Sequence, residues 1–263
     1  MRTHVLAGWL FTATMFVGGA SLAQQAPSAA NPPGKSGAVF NGVVIAVPNV
    51  ETEVQFWSKL GAVRHDAAEG VSFEFPDMTV AVIKGSGVGG TAGTVIDHIG
   101  LQLPDSKEGM ARYQSLGLPT EPSGIVPGLD FLVSPNGVRV ELGQEPTLTI
   151  PVRGHHVHYF LPAPLEAQAW YAKYFGAIPG KRGRFDAADI TASKTVMNLT
   201  FALAEQARTP TKGRALDRIR ISVADVDAAV RQLRSDNVAV EEVRQNSAIV
   251  VDPWGTRIEL RKL

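Results

Sequence analysis

Cysteine is absent from the 263-residue sequence, which excludes disulfide bonds, thiolate metal ligands and a lipoprotein anchor. A charge imbalance is absent too, because 25 basic side chains are matched by 25 acidic ones. The chain therefore offers no electrostatic attraction for nucleic acid or for an anionic membrane. At 44% hydrophobic residues it can bury a real core, and we expect a small neutral or weakly charged molecule as its partner.

A short apolar run at the start of the chain predicts a secretory signal over residues 1–23. Arg2 and His4 precede an apolar stretch over residues 5–17, and small residues lead to Ala23. The stretch is shorter than the roughly 20 residues of a membrane-spanning helix, so we expect cleavage after Ala23. Residues 24–37 are rich in Ala, Pro, Ser and Gln and predict a flexible leader. The mature protein is expected to be periplasmic or secreted, with no membrane segment.

One strand motif occurs twice and divides the chain into halves. Residues 134–142 are SPNGVRVEL and residues 252–260 are DPWGTRIEL. Each copy is a Pro and Gly turn followed by a strand, whose alternation places its Arg and its Glu on one face. Glu141 and Glu259 are therefore expected at equivalent positions in the two halves.

The similarity extends upstream and reveals smaller repeats. The strand at residues 96–103 precedes Glu141 as the strand at residues 216–223 precedes Glu259, and weaker copies begin at residues 42 and 156. Each unit contains one strand, one helix and three strands. Four such βαβββ modules predict an α+β fold.

Two connecting segments complete the pattern. Residues 85–93 are rich in glycine, but no helix follows them, so they predict a flexible connector and not a phosphate-binding loop. Residues 180–186 are polar and predict a loop in the third module. The alternating residues 195–201 predict the last strand of that module.

Histidines mark the first strands of the second and third modules. His156 and His158 are two residues apart and share a face of their strand, whereas His155 is expected on the opposite face. A single histidine on a strand is more often a core or surface residue, and we interpret His65 and His155 in that way.

Two imidazoles and one carboxylate make a metal site with positions open for a substrate. His98 and His156 are the candidate imidazoles, and Glu141 and Glu259 are the candidate acids. The competing interpretation is a salt bridge, because Arg139 or Arg257 lies two positions before each Glu on the same face.

These features together resemble the vicinal oxygen chelate superfamily, which contains glyoxalase I, type I extradiol dioxygenases, and fosfomycin and bleomycin resistance proteins. The resemblance covers roughly residues 38–263 and rests on the paired modules, the DHIG strand at residues 97–100 and the two Pro-x-Gly-x-x-x-Glu strands. It implies two cupped eight-stranded mixed sheets with helices outside. It also implies two glyoxalase-like domains, residues 38–144 and 154–263, and it is informative about fold and not about substrate.

The resemblance implies that metal ligands come from the first and last strands of the modules. The first-strand positions are Gly42, His98, His156 and Arg218. The last-strand acids are Glu141 and Glu259, with Ala81 and Asn198 near the matching positions of the other two modules.

The way in which the modules pair decides whether a full ligand set forms. If the first pairs with the second and the third with the fourth, neither sheet has a full set, and Arg218 is expected to bind Glu259. If the second pairs with the third, His98, Glu141 and His156 converge, with His158 nearby.

The resemblance implies chemistry in which a divalent ion (zinc, iron, nickel or manganese) binds two adjacent oxygen atoms of a substrate, while Glu141 or His158 moves a proton. We therefore expect a secreted metal-dependent lyase or dioxygenase-like enzyme that acts on a small oxygenated molecule. The alternative is a metal-free protein that binds or sequesters a small molecule in the same cups. Gly42 and Arg218 favour that alternative, and the histidine cluster favours the enzyme.

Overall fold

The computed structural model describes residues 37–263 except 125 and 127. The signal predicted over residues 1–23 lies outside the described residues, as does nearly all of the leader predicted over residues 24–37. Within the described part, no helix has both the length and the apolar character that crossing a membrane requires.

The described chain contains four helices and sixteen strands in the predicted βαβββ order. The first module comprises β1 (Val39–Val47), α1 (Val50–Trp57), β2 (Val63–Ala67), β3 (Gly70–Phe75) and β4 (Met78–Lys84). The second comprises β5 (Ile96–Leu103), α2 (Ser106–Ser115), β6 (Thr120–Pro122), β7 (Asp130–Val133) and β8 (Arg139–Gln144). The third comprises β9 (Arg153–Leu161), α3 (Pro164–Phe175), β10 (Ile178–Arg182), β11 (Phe185–Thr191) and β12 (Val196–Leu203). The fourth comprises β13 (Leu216–Val223), α4 (Val226–Ser235), β14 (Ala239–Arg244), β15 (Ser247–Val251) and β16 (Arg257–Lys262).

The modules pair across the two halves of the chain. One eight-stranded sheet, here the outer-module sheet, combines the first and fourth modules, and the other, the inner-module sheet, combines the second and third. At the centre of each sheet two first strands pair antiparallel, β1 with β13 and β5 with β9. The α+β class with two mixed sheets is confirmed, and the second of the two predicted pairings is the one adopted. Residues 38–144 and 154–263 each contribute one module to each sheet.

Aspartate side chains cap two of the helices, and a buried tryptophan packs a third on its sheet. Asp105 precedes α2 and its carboxylate accepts the Glu108 N–H, while Asp225 does the same for Ala228 at α4. Each cap satisfies a backbone donor that has no partner inside the helix. The aromatic residue Trp57 of α1 is fully buried in the core, which stabilises the packing of the helix on its sheet.

The first residue of each repeated turn motif binds a helix of the preceding module. The Ser134 hydroxyl donates to Glu53 of α1, which also accepts the Trp57 indole N–H at 2.8 Å. In the second copy, the Tyr171 hydroxyl of α3 donates to Asp252 at 2.9 Å. Burial raises the pKa of Asp252 to about 6. The two hydrogen bonds link each sheet to a helix of the other.

Two connecting segments differ from their predictions. Residues 85–93 form a packed connection and not a flexible one, because Gly87 and Gly90 let the backbone approach closely. A β-carbon at Gly87 would lie 2.3 Å from the Ala46 carbonyl oxygen, and one at Gly90 would lie 2.0 Å from that of Gly137. The loop predicted over residues 180–186 is a hairpin of β10 and β11.

Candidate metal centre

The central strands of the inner-module sheet carry the predicted histidines. His98 on β5 lies opposite His158 on β9, and Gly100 lies opposite both His156 on β9 and Glu141 on β8. Because these positions share one face, the side chains converge. One ligand atom from each of His98, Glu141, His156 and His158 lies within 4.8 Å of the others.

Two contacts within this cluster join imidazoles to the carboxylate. His98 Nε2 lies 2.9 Å from Glu141 Oε2, and His156 Nε2 lies 3.6 Å from the same oxygen. Ligand atoms bound at about 2.1 Å to one ion are separated by about 3 to 4 Å. The three predicted metal residues therefore meet with spacing that suits an ion.

The imidazole nitrogens of the cluster lack hydrogen-bond partners. Within the described part of the chain, His98 Nε2, His156 Nε2 and both nitrogens of His158 are buried without one. The short His98 to Glu141 contact is an ion-pair distance that is not aligned as a hydrogen bond. A buried polar group without a partner costs about 1–3 kcal/mol, so four such nitrogens together are retained for a function. A bound ion would satisfy the Nε2 atoms of His98 and His156, and the residues fit such an ion.

Asp97 orients the His98 ring. Its carboxylate lies 2.9 Å from His98 Nδ1, and its other oxygen accepts from Arg139 at 3.1 Å. Asp97 is the extra residue at a register shift between β5 and β9, which turns it toward its neighbour. A proton held on Nδ1 leaves the Nε2 lone pair facing Glu141.

His155 also lies beside the cluster, contrary to the prediction that it would point to the opposite face. The register shifts between Gly100 and Leu101, so His155 is the extra residue of a β-bulge. Its Nδ1 lies 2.9 Å from His156 Nδ1. When His156 donates in that hydrogen bond, its Nε2 keeps a free lone pair.

Arg182 is not among the residues predicted from the sequence, because the polar residues 180–186 predict a loop. It lies at the end of β10 and donates from Nη2 to Glu141 Oε1 at 3.1 Å, which leaves Oε2 for the imidazoles. The available signal was the two-residue turn at residues 183–184, which joins two strands as a hairpin.

The protonation states of Glu141, His156 and His158 suit metal ligands. Burial, and then the Arg182 charge, lower the pKa of His156 to about 3. Burial also lowers the pKa of His158 well below its usual value. For Glu141, burial is outweighed by the neighbouring His156 and His98, so its pKa is well below normal. Burial opposes protonation of His98, but its contacts with Asp97 and Glu141 outweigh burial and raise its pKa. Glu141 is therefore anionic, and His156 and His158 are neutral at pH 7.

The outer-module sheet places guanidinium groups at the corresponding position. Glu259 accepts from Arg218 at 2.8 Å, from Arg220 at 3.0 Å and from Arg261 at 2.7 Å. The predicted pairing of Arg218 with Glu259 is confirmed, and Gly42 offers no ligand. Although burial opposes it, the Arg220 and Arg218 guanidinium groups lower the pKa of Glu259 to about 2. A fixed cation repels a metal ion, so this sheet carries a salt-bridge cluster and not a second metal site.

The competing interpretation, in which Arg139 and Arg257 form salt bridges with the motif glutamates, does not match the structure. Arg139 binds Asp97 and Glu121, and Arg257 binds Asp217 and Glu241. Each arginine thus joins the first strand of its module to a shorter outer strand. This pairing leaves Glu141 free for the imidazoles.

Thr200, and not Asn198, holds the position in the third module that Glu141 holds in the second. In the second module, Glu141 lies opposite Gly100, and Gly100 follows His98 by two residues. In the third module, Thr200 lies opposite His158, and His158 follows His156 by two residues. The Thr200 hydroxyl donates to Asn198 at 2.6 Å. The third module therefore contributes histidines and no acid.

Several solved structures share this fold. Glyoxalase I from Zea mays superposes with a TM-score of 0.63 at 17% identity, covering 86% of this chain and 92% of that one. A candidate dioxygenase from Bacillus subtilis gives 0.59 at 13% identity, covering 85% and 84%. The cppA protein from Streptococcus pneumoniae gives 0.51 at 8% identity, covering 86% and 100%. No family model and no curated protein matches the sequence. At these identities the likeness shows the fold, and the chain has the vicinal oxygen chelate fold.

Proposed function

We propose that the chain is a metal-dependent enzyme, either a lyase or a dioxygenase-like enzyme, that acts on a small oxygenated substrate. Its ion would be held by His98, Glu141 and His156. The observation that carries the proposal is the buried set of unpartnered imidazole nitrogens around an anionic carboxylate. The shared fold with glyoxalase I and with a candidate dioxygenase supports it.

Each ligand in this proposal is held by a neighbour that leaves the ligand atom free. Asp97 holds His98, His155 holds His156, and Arg182 holds Glu141. When bound, a divalent ion (zinc, iron, nickel or manganese) would supply Lewis acidity that polarises the oxygen atoms of a substrate. The protein contributes the fixed orientation of the ligands and a buried, water-poor surrounding.

His158 is the candidate proton acceptor. Both its nitrogens are unpartnered, it is neutral because of its lowered pKa, and its ring centroid lies 4.5 Å from that of His98. A proton released by a substrate on the cluster would pass to this ring. Glu141 is less suited to that task, because Arg182 and the two imidazoles hold it anionic.

Metal analysis of the purified protein tests the proposal. We expect about one zinc, iron, nickel or manganese ion per chain, and we expect His156→Ala to lose it. The control is His65→Ala, because His65 is exposed and pairs with Glu74 on the outer-module sheet. If the unmodified protein carries no ion and takes none up on dialysis, the metal-free binding function replaces the enzyme.

We further propose that residues 1–23 direct secretion, on the strength of their apolar run and its small terminal residues. The mass of the protein recovered from a periplasmic fraction tests this. A chain that begins at Gln24 supports secretion, and an uncleaved chain in the cytoplasm contradicts it.

A further inference from the structure

Three phenylalanine rings surround the imidazole cluster. Phe131 lies 4.8 Å from His98 between ring centroids. Phe160 stacks on His158 at 5.2 Å, and Phe185 meets the same ring edge-on at 5.0 Å. Phe131 is buried, whereas Phe160 and Phe185 are half-buried, so solvent reaches them. These rings therefore make the surroundings of the cluster aromatic and apolar.

An arginine covers each of the two half-buried rings. The Arg208 guanidinium carbon lies 4.8 Å from the Phe160 centroid, and that of Arg184 lies 5.0 Å from the Phe185 centroid. A guanidinium group is attracted to the face of an aromatic ring. Both charges thus lie one aromatic ring away from His158.

Among the described residues, no carboxylate neutralises these two charges. In the ranges that the structure describes, neither Arg184 nor Arg208 forms an ion pair, although nineteen other ion pairs are present. The carboxylates that touch the imidazole cluster already have arginine partners, Asp97 with Arg139 and Glu141 with Arg182. A divalent ion would add further positive charge.

We infer that the site selects an organic carboxylate with a flat apolar body. Its body packs against the edges of Phe160 and Phe185, whose faces Arg208 and Arg184 cover, and its carboxylate meets those two guanidinium groups. The inference rests on the proposed function, because it assumes that the substrate reaches the His98, Glu141 and His156 cluster. A neutral substrate of the same shape would leave the two cations without a partner, and would bind less tightly.

Calorimetric titration with a matched pair of probes tests the inference. The probes are 3,4-dihydroxybenzoate and its methyl ester, which share two adjacent oxygen atoms and a flat ring and differ in the charge of one group. Each is titrated into metal-free and zinc-loaded protein, since zinc brings no redox chemistry of its own. We expect the acid to bind about tenfold more tightly than the ester, with an affinity that falls as salt rises.

Three variants test which arginines cause the preference for the acid over the ester. Arg208→Ala and Arg184→Ala should each weaken binding of the acid several-fold and leave the ester unchanged. Arg231→Ala removes the same charge from an exposed position on α4, which packs on the other sheet, and should change neither.

Two results would overturn the inference: equal affinity for acid and ester, or no binding of either probe. If the protein takes up none of zinc, iron, nickel or manganese, the proposed function fails. The relative affinity for acid and ester in the metal-free titration still tests the inference about charge.

Discussion

Gly100 and His156 lie directly opposite each other on β5 and β9, and the His156 ring occupies the space that a side chain at residue 100 would need. A β-carbon there would lie 2.0 Å from two atoms of the imidazole. Glycine in the middle of a strand marks a place of close approach. The DHIG strand thus makes two contributions, the His98 ligand and the room for His156.

Replacing Gly100 by Ala should therefore displace the His156 ring and weaken metal binding at least tenfold. The comparison is Gly180→Ala in the same sheet, where an added β-carbon meets no atom within 4 Å. Both variants are measured by competition with a chelator of known affinity. Equal affinity in the two variants would mean that His156 is not a ligand.

Asp97→Asn should weaken metal binding about 10- to 100-fold, because a carboxylate that orients a ligand imidazole also increases its basicity. Its control is Asp217→Asn, because Asp217 is the extra residue at the same register shift in the outer-module sheet and binds Arg257 as Asp97 binds Arg139. Breaking either buried ion pair should lower the free energy of unfolding by about 3–5 kcal/mol. Only Asp97→Asn should change the metal affinity, and a similar loss in both variants would refute the orienting role of Asp97.

The His158→Gln variant distinguishes two possible roles of His158, as a proton acceptor and as a metal ligand. If His158 accepts a proton from the substrate, the variant should keep its metal within about threefold of the normal affinity and lose activity by about 10²–10⁴-fold. Metal affinity and turnover are measured on the same preparation. A loss of metal comparable with that of His156→Ala would instead make His158 a fourth ligand.

Glu259 should make stability depend on pH in the acid range. Its pKa in the folded protein is lowered from 4.5 to about 2, so its ion pairs stabilise the fold fully above pH 4.5. That contribution is lost as the pH falls toward 2. The difference in unfolding free energy between the unmodified protein and Glu259→Gln should therefore be largest near pH 7 and should narrow below pH 4.5. Urea unfolding at pH 7 and pH 3 measures it, and an unchanged difference would show that the arginine cluster does not hold Glu259 ionised.

The repeat and the module order could be predicted from the sequence because they depend on local patterns. Alternation along a strand places Glu141 and His98, and a Pro and Gly turn marks the strand that follows. The sequence allows two pairings of the modules, since the pairing depends on contacts between β5 and β9, which lie about 50 residues apart along the chain.

The supporting residues of the cluster could not be found in the same way. Asp97 and His155 face it only because register shifts break the alternation, and a β-bulge leaves no clear mark in a single sequence. Arg182 could not be predicted because the hairpin that carries it could not be, since a polar strand at the edge of a sheet resembles a loop in composition.

The most direct measurement is a crystallographic anomalous difference map, collected at the absorption edge of the metal found by elemental analysis. The prediction is one peak about 2.0–2.2 Å from His98 Nε2, His156 Nε2 and a Glu141 oxygen, and no peak beside Glu259. A map with no peak among these three side chains, or with the ion bound elsewhere, would contradict the proposed metal centre.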